Sequence, residues 1–287
     1  MTVFDMPATL LSVVFGVISV FALIRKAVCA PARVEAYLRY LWVYFLVFCA
    51  AEFFSITAAV WILAVVCFVA LREYFSLLDI RLQDRFGILG AYFAIPFMTW
   101  FISIDFYSMF IISIPIFTFL VIPLLVSLGG SEAEGTVFSV GAIDFGLFLL
   151  VYCAGHVGYL MFTSTWSAAL LVINVAICDG IAFQLASFGR NPWRGSLLRY
   201  VVCTPLTAAA SLSLSVWTGV PWQHALVIGF FLPLVVAAGR YTMVYIEADL
   251  GIAHDYGTLR RGRLINSSSS MLFAAPVVFH YTRYFAT

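Results

Sequence analysis

The chain has 287 residues, of which 64% are hydrophobic and only 10% are charged, and its formal net charge is +1. Soluble domains are about half apolar and about a quarter charged, so this composition excludes a soluble enzyme, a disordered protein and a nucleic-acid binder. Fourteen of the fifteen basic residues are arginine, which leaves Lys26 as the sole lysine available to a nucleotide phosphate.

The apolar residues form runs whose lengths approach the roughly 20 residues that a membrane-spanning helix needs. In chain order the runs are 8–24, 40–56, 57–71, 87–104, 107–128, 138–161, 166–188, 201–218, 222–239 and 269–286. Because the stretch 40–71 divides in more than one way and the last run is short, we expect an all-α polytopic membrane protein with about nine to ten transmembrane helices. The first run lacks a basic segment before it and is followed by Arg25 and Lys26, which predicts a retained span rather than a signal peptide.

Basic residues concentrate on one side of the predicted topology. With both termini outside, the cytosolic loops are 25–39, 72–86, 189–200 and 240–268. These loops carry every basic residue except Arg283, which follows the positive-inside rule and predicts a multi-pass protein of the cell's inner membrane with cytoplasmic basic loops. The longest loop, of about 25 residues, is too short to bury a core of its own, so we expect residues 1–287 to form a single membrane domain.

Four ionisable side chains lie inside the predicted spans: Glu52, Asp144, His156 and Asp179. Such groups are costly at membrane depth and are functional candidates by default. A structural role stays open for each, as a group near a helix end for Glu52 and Asp144, or as a histidine bonded to a neighbouring helix for His156. Asp179 is the strongest candidate because it lies in the middle of its run and is followed by Gly180, which favours a close-packed polar pocket.

Two predicted cytosolic segments combine charged residues with turn residues. The segment 189–200 contains three arginines, which suit either a phosphate or anchoring to lipid headgroups. The segment 247–263 contains Asp249 and Asp255 beside arginines and glycines. Carboxylates are ligands that Mg²⁺ prefers, and arginines and glycine amides bind phosphates. A solvated loop with local ion pairs is the alternative for this segment.

Four stretches carry recognisable motifs. Arg72–Leu77 is similar to R-E-[YF], and Asp179–Phe183 with Phe188–Arg190 is similar to D-x-G-A-Y and F-G-[RK]. Gly239–Ile252 aligns without gaps with G-D-L-x-E-S-x-x-K-R-x-x-G-[IV]. Gly262–Val277 aligns with G-x-[IL]-L-D-R-x-D-S and a following A-A-P-V. Together they resemble the phosphatidate cytidylyltransferases (CDP-diacylglycerol synthases), most closely in the carboxyl-terminal half. We therefore divide the chain into amino-terminal helices, 1–165, and a CTP-transferase-like part, 166–287.

The resemblance implies a function in phospholipid biosynthesis. That family joins CTP to phosphatidate, releases pyrophosphate and makes CDP-diacylglycerol. The reaction needs cations to hold the triphosphate and to offset the repulsion between two anionic reactants. The resemblance also implies Mg²⁺ as cofactor, CTP and phosphatidate as ligands, and a homodimer in the lipid bilayer.

Departures from the family pattern fall on the residues that carry this chemistry. Arg240 stands at the aspartate of G-D-L, Glu247 at the lysine of K-R, and Asn266, Ser267 and Ser269 at the charged positions of D-R-x-D. An arginine at a metal-ligand position reverses the local charge, and the amide oxygen of an asparagine is a poor substitute for a carboxylate toward Mg²⁺. The glycines, the A-A-P-V helix and the apolar spans are kept. This pattern is typical of a scaffold retained after its chemistry was lost.

Two main hypotheses follow. In the first, a catalytically impaired member binds an anionic phospholipid or a membrane partner. Its predicted phosphate-binding residues are Arg190, Arg194, Ser196, Arg199, Arg240, Arg260, Arg261 and Arg263. In the second, an active CTP:phosphatidate cytidylyltransferase uses a rearranged site, with Asp179 and Asp255 as catalytic residues and Asp249 and Asp255 as ligands of Mg²⁺. The ionisable residues inside the spans also motivate a transporter, although the sequence shows no inverted repeat.

Overall fold

The structure, a computed structural model, describes residues 6–26, 31–78, 80–129, 133–185, 192–249 and 263–285, and within these ranges every regular element is helical. Its α-helices are α1 (Pro7–Lys26), α2 (Pro31–Phe53), α3 (Ile56–Phe75), α4 (Arg85–Ser103), α5 (Tyr107–Ile112), α6 (Phe119–Gly129), α7 (Thr136–Gly146), α8 (Ala154–Thr163), α9 (Thr165–Gln184), α10 (Pro192–Thr218), α11 (Trp222–Asp249) and α12 (Arg263–Phe285). A short 3₁₀ turn, Leu82–Asp84, leads into α4.

Two spans contain π-helical segments. Ser113–Thr118 joins α5 to α6, and Leu147–Cys153 joins α7 to α8. Tyr107–Gly129 and Thr136–Thr163 are thereby helical spans of 23 and 28 residues. The first π-helical segment contains Pro115, whose ring removes one backbone N–H from the helical hydrogen-bond ladder. Each composite span is long enough to cross a bilayer, although none of its α-helical parts is.

The predicted class of protein is confirmed. Seven helices within the described ranges are long and apolar enough to cross a membrane, and two shorter apolar helices, Pro7–Val20 and Leu41–Phe53, precede them. The predicted runs 8–24 and 40–56 fall on these shorter helices, and the predicted run 269–286 falls on α12. The chain is therefore a membrane-embedded polytopic protein, all-helical over the ranges that the structure describes.

The carboxyl-terminal helices extend beyond the apolar runs that predicted them. α10 begins at Pro192 rather than at 201, α11 continues to Asp249 rather than ending at 239, and α12 begins at Arg263 rather than at 269. The reason is that hydropathy marks the hydrocarbon core, whereas a helix satisfies its own backbone hydrogen bonds and can continue through the headgroup region. Large parts of the predicted loops 189–200 and 240–268 are therefore helical.

Helix α9 lies at the centre of the carboxyl-terminal bundle. Its apolar window is 72% buried, whereas the other six spans range from 28% to 56%, and it contacts α1, α8, α10, α11 and α12. The most extensive helix contact joins α10 to α11. There, Thr207 Oγ1 donates to the carbonyl of Gly229 at 2.7 Å. A Cβ on Gly229 would lie 2.5 Å from Cα of Ala208, so only glycine permits this close approach.

Two contacts show which helix ends lie next to each other. Arg81, just before α4, donates to the backbone carbonyl of Glu134 and to Thr136 Oγ1, which places the α3–α4 and α6–α7 connections together. At the other ends of the helices, Glu52 of α2 accepts a hydrogen bond from the backbone N–H of Ala8 at the start of α1. Both contacts agree with the alternating path that the apolar runs predict.

Candidate functional site

A buried polar cluster joins three helices of the carboxyl-terminal bundle. Asp179 of α9 is 7% exposed. Its Oδ1 accepts a hydrogen bond from Arg240 Nη1 of α11 at 2.9 Å and another from Ser270 Oγ of α12 at 2.6 Å. We call Asp179, Arg240 and Ser270 the Asp179 cluster. It forms because α9 is the central helix, so a carboxylate on it reaches both α11 and α12.

Close packing of α11 against α12 sets the position of Arg240. The preceding residue, Gly239, faces the ring of Phe273 on α12, and a Cβ at Gly239 would lie 2.7 Å from that side chain. Such a contact is tighter than van der Waals packing allows, so the glycine is required for this approach. Arg240 and Ser270 are thereby brought to the same carboxylate.

The charges of the Asp179 cluster are unequally exposed. The Asp179 side chain is 9% exposed, whereas that of Arg240 is 39% exposed. A buried carboxylate needs a partner to offset its lost hydration, and Arg240 supplies it. A guanidinium carries five N–H donors, so the exposed part of Arg240 can bind a second anion while Nη1 stays on Asp179. Chemically, the arrangement suits phosphate binding at an interface.

The cluster does not fit a divalent metal ion. Asp179 already accepts two hydrogen bonds on one oxygen, and one of them comes from the guanidinium of Arg240. Mg²⁺ is bound through carboxylates and substrate phosphates, and a guanidinium beside the carboxylate repels it. Within the described ranges, no group of three or more histidine, cysteine, aspartate or glutamate residues is placed to hold a metal ion.

The other predicted site residues fall at different places. Arg199 is half-buried on α10, Asp249 is exposed at the end of α11, and Ser269 is buried beside Ser270 on α12. Arg194 and Ser196 lie within α10, Glu247 within α11, and Arg263, Asn266 and Ser267 within α12. Asp255, Arg190, Arg260 and Arg261 lie outside the described residues. The structure thus brings together Asp179, Arg240 and Ser270, and the last of these was not among the predicted residues.

Glu52 and His156 have structural partners. Glu52 Oε1 accepts from the backbone N–H of Ala8 at 2.8 Å, which places a carboxylate at the N-terminus of α1. His156 is fully buried, and its Nδ1 lies 2.9 Å from the carbonyl oxygen of Tyr152 one turn earlier. Asp144 is half-buried on α7. Of these four ionisable residues, Asp179 is the one for which the structure describes an ion pair, with Arg240.

A second polar network lies outside the spans, in the α3–α4 connection. Asp84 is buried and accepts two hydrogen bonds from Arg81, at 3.0 and 2.8 Å, and one from Ser139 at 2.5 Å. Burial acts to raise the pKa of the Asp84 carboxyl, but the hydrogen bonds from Arg81 and Ser139 and the positive charge of Arg81 outweigh it and hold the pKa below its ordinary value. The network fixes the connection against α7.

The fold and the Asp179 cluster define a polytopic helical membrane protein with an ion pair buried among its carboxyl-terminal helices. The chain is similar to the "Uncharacterized protein YnbB" of Escherichia coli (strain K12), with 24% identity over 239 residues that cover 77% of this chain and 78% of that protein. No family model matches the chain, and no solved structure matches it. The similarity extends over most of both chains, and the name of the E. coli protein states no activity.

Proposed function

We propose that the protein is a phosphatidate cytidylyltransferase-like membrane protein that has lost its catalytic site and binds an anionic phospholipid through its arginines. The observation that carries the proposal is the ion pair between Arg240 and Asp179. It is supported by the motif resemblance of 166–287, in which Arg240 stands at a metal-binding aspartate.

The ion pair opposes the chemistry of the family. Transfer of a cytidylyl group needs positive charge on the triphosphate, delivered by cations that carboxylates hold. In this chain Asp179 accepts a hydrogen bond from the positively charged Arg240, where the family chemistry would need a carboxylate that holds a metal ion. An active, rearranged site would need Asp179, Asp249 and Asp255 on one metal. Asp249 lies nine residues beyond Arg240 on α11, which is about 13 Å along the helix axis. That separation disfavours a shared ion.

Arg240 is placed to meet a lipid phosphate. It is the first charged residue after the apolar run 222–239, so it lies where the hydrocarbon core gives way to headgroups. Its side chain is 39% exposed. Arginine binds phosphate oxygens with two parallel N–H donors, and an anionic headgroup also balances the remaining positive charge of the predicted cytosolic arginines.

The finer features of the topology belong to the same proposal. We propose about nine to ten spans, with α1, α2 and α12 completing the seven helices that meet the length and hydropathy requirements for crossing. The basic connections face the cytoplasm of a cell's inner membrane. Residues 1–287 form one membrane domain that assembles as a homodimer, as the resemblance implies.

The proposal is tested by lipid binding to the purified full chain, measured by native mass spectrometry with dioleoyl phosphatidate and dioleoyl phosphatidylcholine as probes. We expect phosphatidate to bind the more tightly. Arg240→Gln should weaken phosphatidate binding by about tenfold or more, because a hydrogen bond to a charged group is lost. Arg85→Gln is the matched control, since Arg85 is an exposed arginine at the start of α4. Equal binding of the two lipids, or equal losses in both variants, would refute the proposal.

A further inference from the structure

An apolar groove lies between α11 and α12, on the Trp222 side of Arg240 along α11. Its volume is about 280 Å³, and no polar surface lines it. The floor is formed by buried side chains that include Leu232, Ala274 and Val278. Val227 and Phe231 line its mouth and are 47% and 50% exposed. The groove is therefore open to the surroundings of the bundle, and at this depth those surroundings are lipid.

A polar pair of side chains lies just beyond one end of this apolar groove. Tyr281 of α12 closes it, and the Tyr281 hydroxyl lies 2.9 Å from Nδ1 of His224 on α11. A neutral imidazole and a phenol together carry two donor protons, and their mutual hydrogen bond uses one of them. In either tautomer the pair therefore retains one N–H or O–H that can donate to a third group, such as a phosphate oxygen.

The depth of these features matches one leaflet. Along α11, His224 and Val235 are eleven residues apart, or about 16 Å at the rise of an α-helix, which is half of the roughly 30 Å hydrocarbon core. His224 lies two residues after the first residue of α11, at the membrane surface. Arg240 is sixteen residues from His224, or about 24 Å along α11, and so lies near the opposite surface.

We propose that this groove binds one acyl chain of a phospholipid from the leaflet opposite the Asp179 cluster, with the lipid phosphate at the His224–Tyr281 pair. A polar pair at the membrane surface, with an apolar groove beside it that ends at Val235 about 16 Å deeper along α11, matches an amphipathic molecule in both polarity and length. The binding site is separate from the phosphate site proposed for Arg240 and does not depend on it.

Photolabelling with lipid depth probes tests the site on the full chain in liposomes. Two phosphatidylethanolamines are used, one with a diazirine near the glycerol and one with a diazirine at the end of an acyl chain. We expect the first to label α12 around Tyr281 and the second to label around Ala274. Labelling of the groove should exceed labelling at Phe93 and Phe97 of α4, which are both 58% exposed to lipid, by about tenfold. The reverse order of depths, or equal labelling of groove and α4, would overturn the proposal.

Filling the groove separates a bound lipid from bulk lipid. Ala274→Leu fills the floor, and labelling should fall about tenfold because the chain loses buried apolar contact. Val277→Trp narrows the groove from its mouth and serves as the second variant if the first does not fold. Leu234→Phe is the control, because Leu234 is 52% exposed on α11 but does not line the groove. Unchanged labelling in a folded filled variant would overturn the proposal, as would crosslinks that join two copies of the chain through the groove.

Discussion

Breaking the ion pair of the Asp179 cluster has a cost that can be estimated from the structure. Arg240→Gln leaves the carboxylate of Asp179, 9% exposed, with the hydroxyl of Ser270 as its described partner. Removing one partner of a fully buried pair costs about 3–5 kcal/mol, whereas exposed pairs contribute about 1 kcal/mol or less. Because the Arg240 side chain is 39% exposed, we expect a coupling energy of about 2 kcal/mol, between these limits.

A double-mutant cycle measures this coupling energy. Arg240→Gln, Asp179→Asn and the double variant are compared with the unmodified protein by thermal unfolding in detergent. A thiol-reactive dye reports unfolding, since Cys67, Cys153 and Cys203 are buried. We expect Arg240→Gln to lower Tm by about 5 °C, and the double variant to be less destabilised than the sum of the single variants. A coupling energy below about 0.5 kcal/mol would refute the interpretation of the pair as a stabilising interaction that the fold requires.

Three further predictions concern packing, capping and pH. Gly229→Ala should destabilise the protein by about 1–3 kcal/mol, because its Cβ would lie 2.5 Å from a backbone atom of α10, whereas Gly141→Ala, with nothing within 4 Å, should not destabilise it; equal Tm values would contradict the close approach of α10 and α11. Glu52→Gln should lower stability by about 0.5–1 kcal/mol in the same unfolding assay, because the charge at the N-terminus of α1 is lost, and no change would show that the contact with Ala8 contributes nothing. Asp84 has a lowered pKa in the folded protein, so its ion pair stabilises the protein above the unfolded pKa of about 4 and the contribution is lost as pH falls through the lower, folded value. Tm of Asp84→Asn should therefore lie below that of the unmodified protein at pH 7 and approach it under acid conditions, and a constant difference would exclude this linkage.

The class of fold could be predicted because it depends on composition and on runs of apolar residues. The same signal could not predict where the helices end, because residues such as Arg240 and Asp249 are polar yet helical. Hydropathy measures the transfer of side chains into the hydrocarbon core, whereas a helix keeps its backbone hydrogen bonds and so can continue beyond that core. The predicted loop 240–268 therefore begins with a helical segment that carries Arg240 into the bundle.

The partner of Asp179 could not be predicted from sequence alone. Asp179 is 61 residues from Arg240 and 91 from Ser270, so no local spacing relates them. The motif resemblance points to a reversed charge at Arg240, and the position of Asp179 in the middle of an apolar run points to a functional residue, but neither observation relates the two. Their contact depends on α9 being the central helix and on the close packing at Gly239, which are properties of the assembled bundle. A buried carboxylate and a lone arginine in neighbouring spans are the signal that could have paired them.

Turnover by the purified chain tests the central claim most directly. The full protein in liposomes is given labelled CTP, phosphatidate and Mg²⁺, and formation of CDP-diacylglycerol is measured against liposomes without protein. Because Asp179 is paired with Arg240, and the proposed function therefore leaves it unable to hold metal ions for a triphosphate, we predict no product above that background. Product formation that is abolished by Asp255→Asn would contradict the claim and establish an active site built from the remaining aspartates.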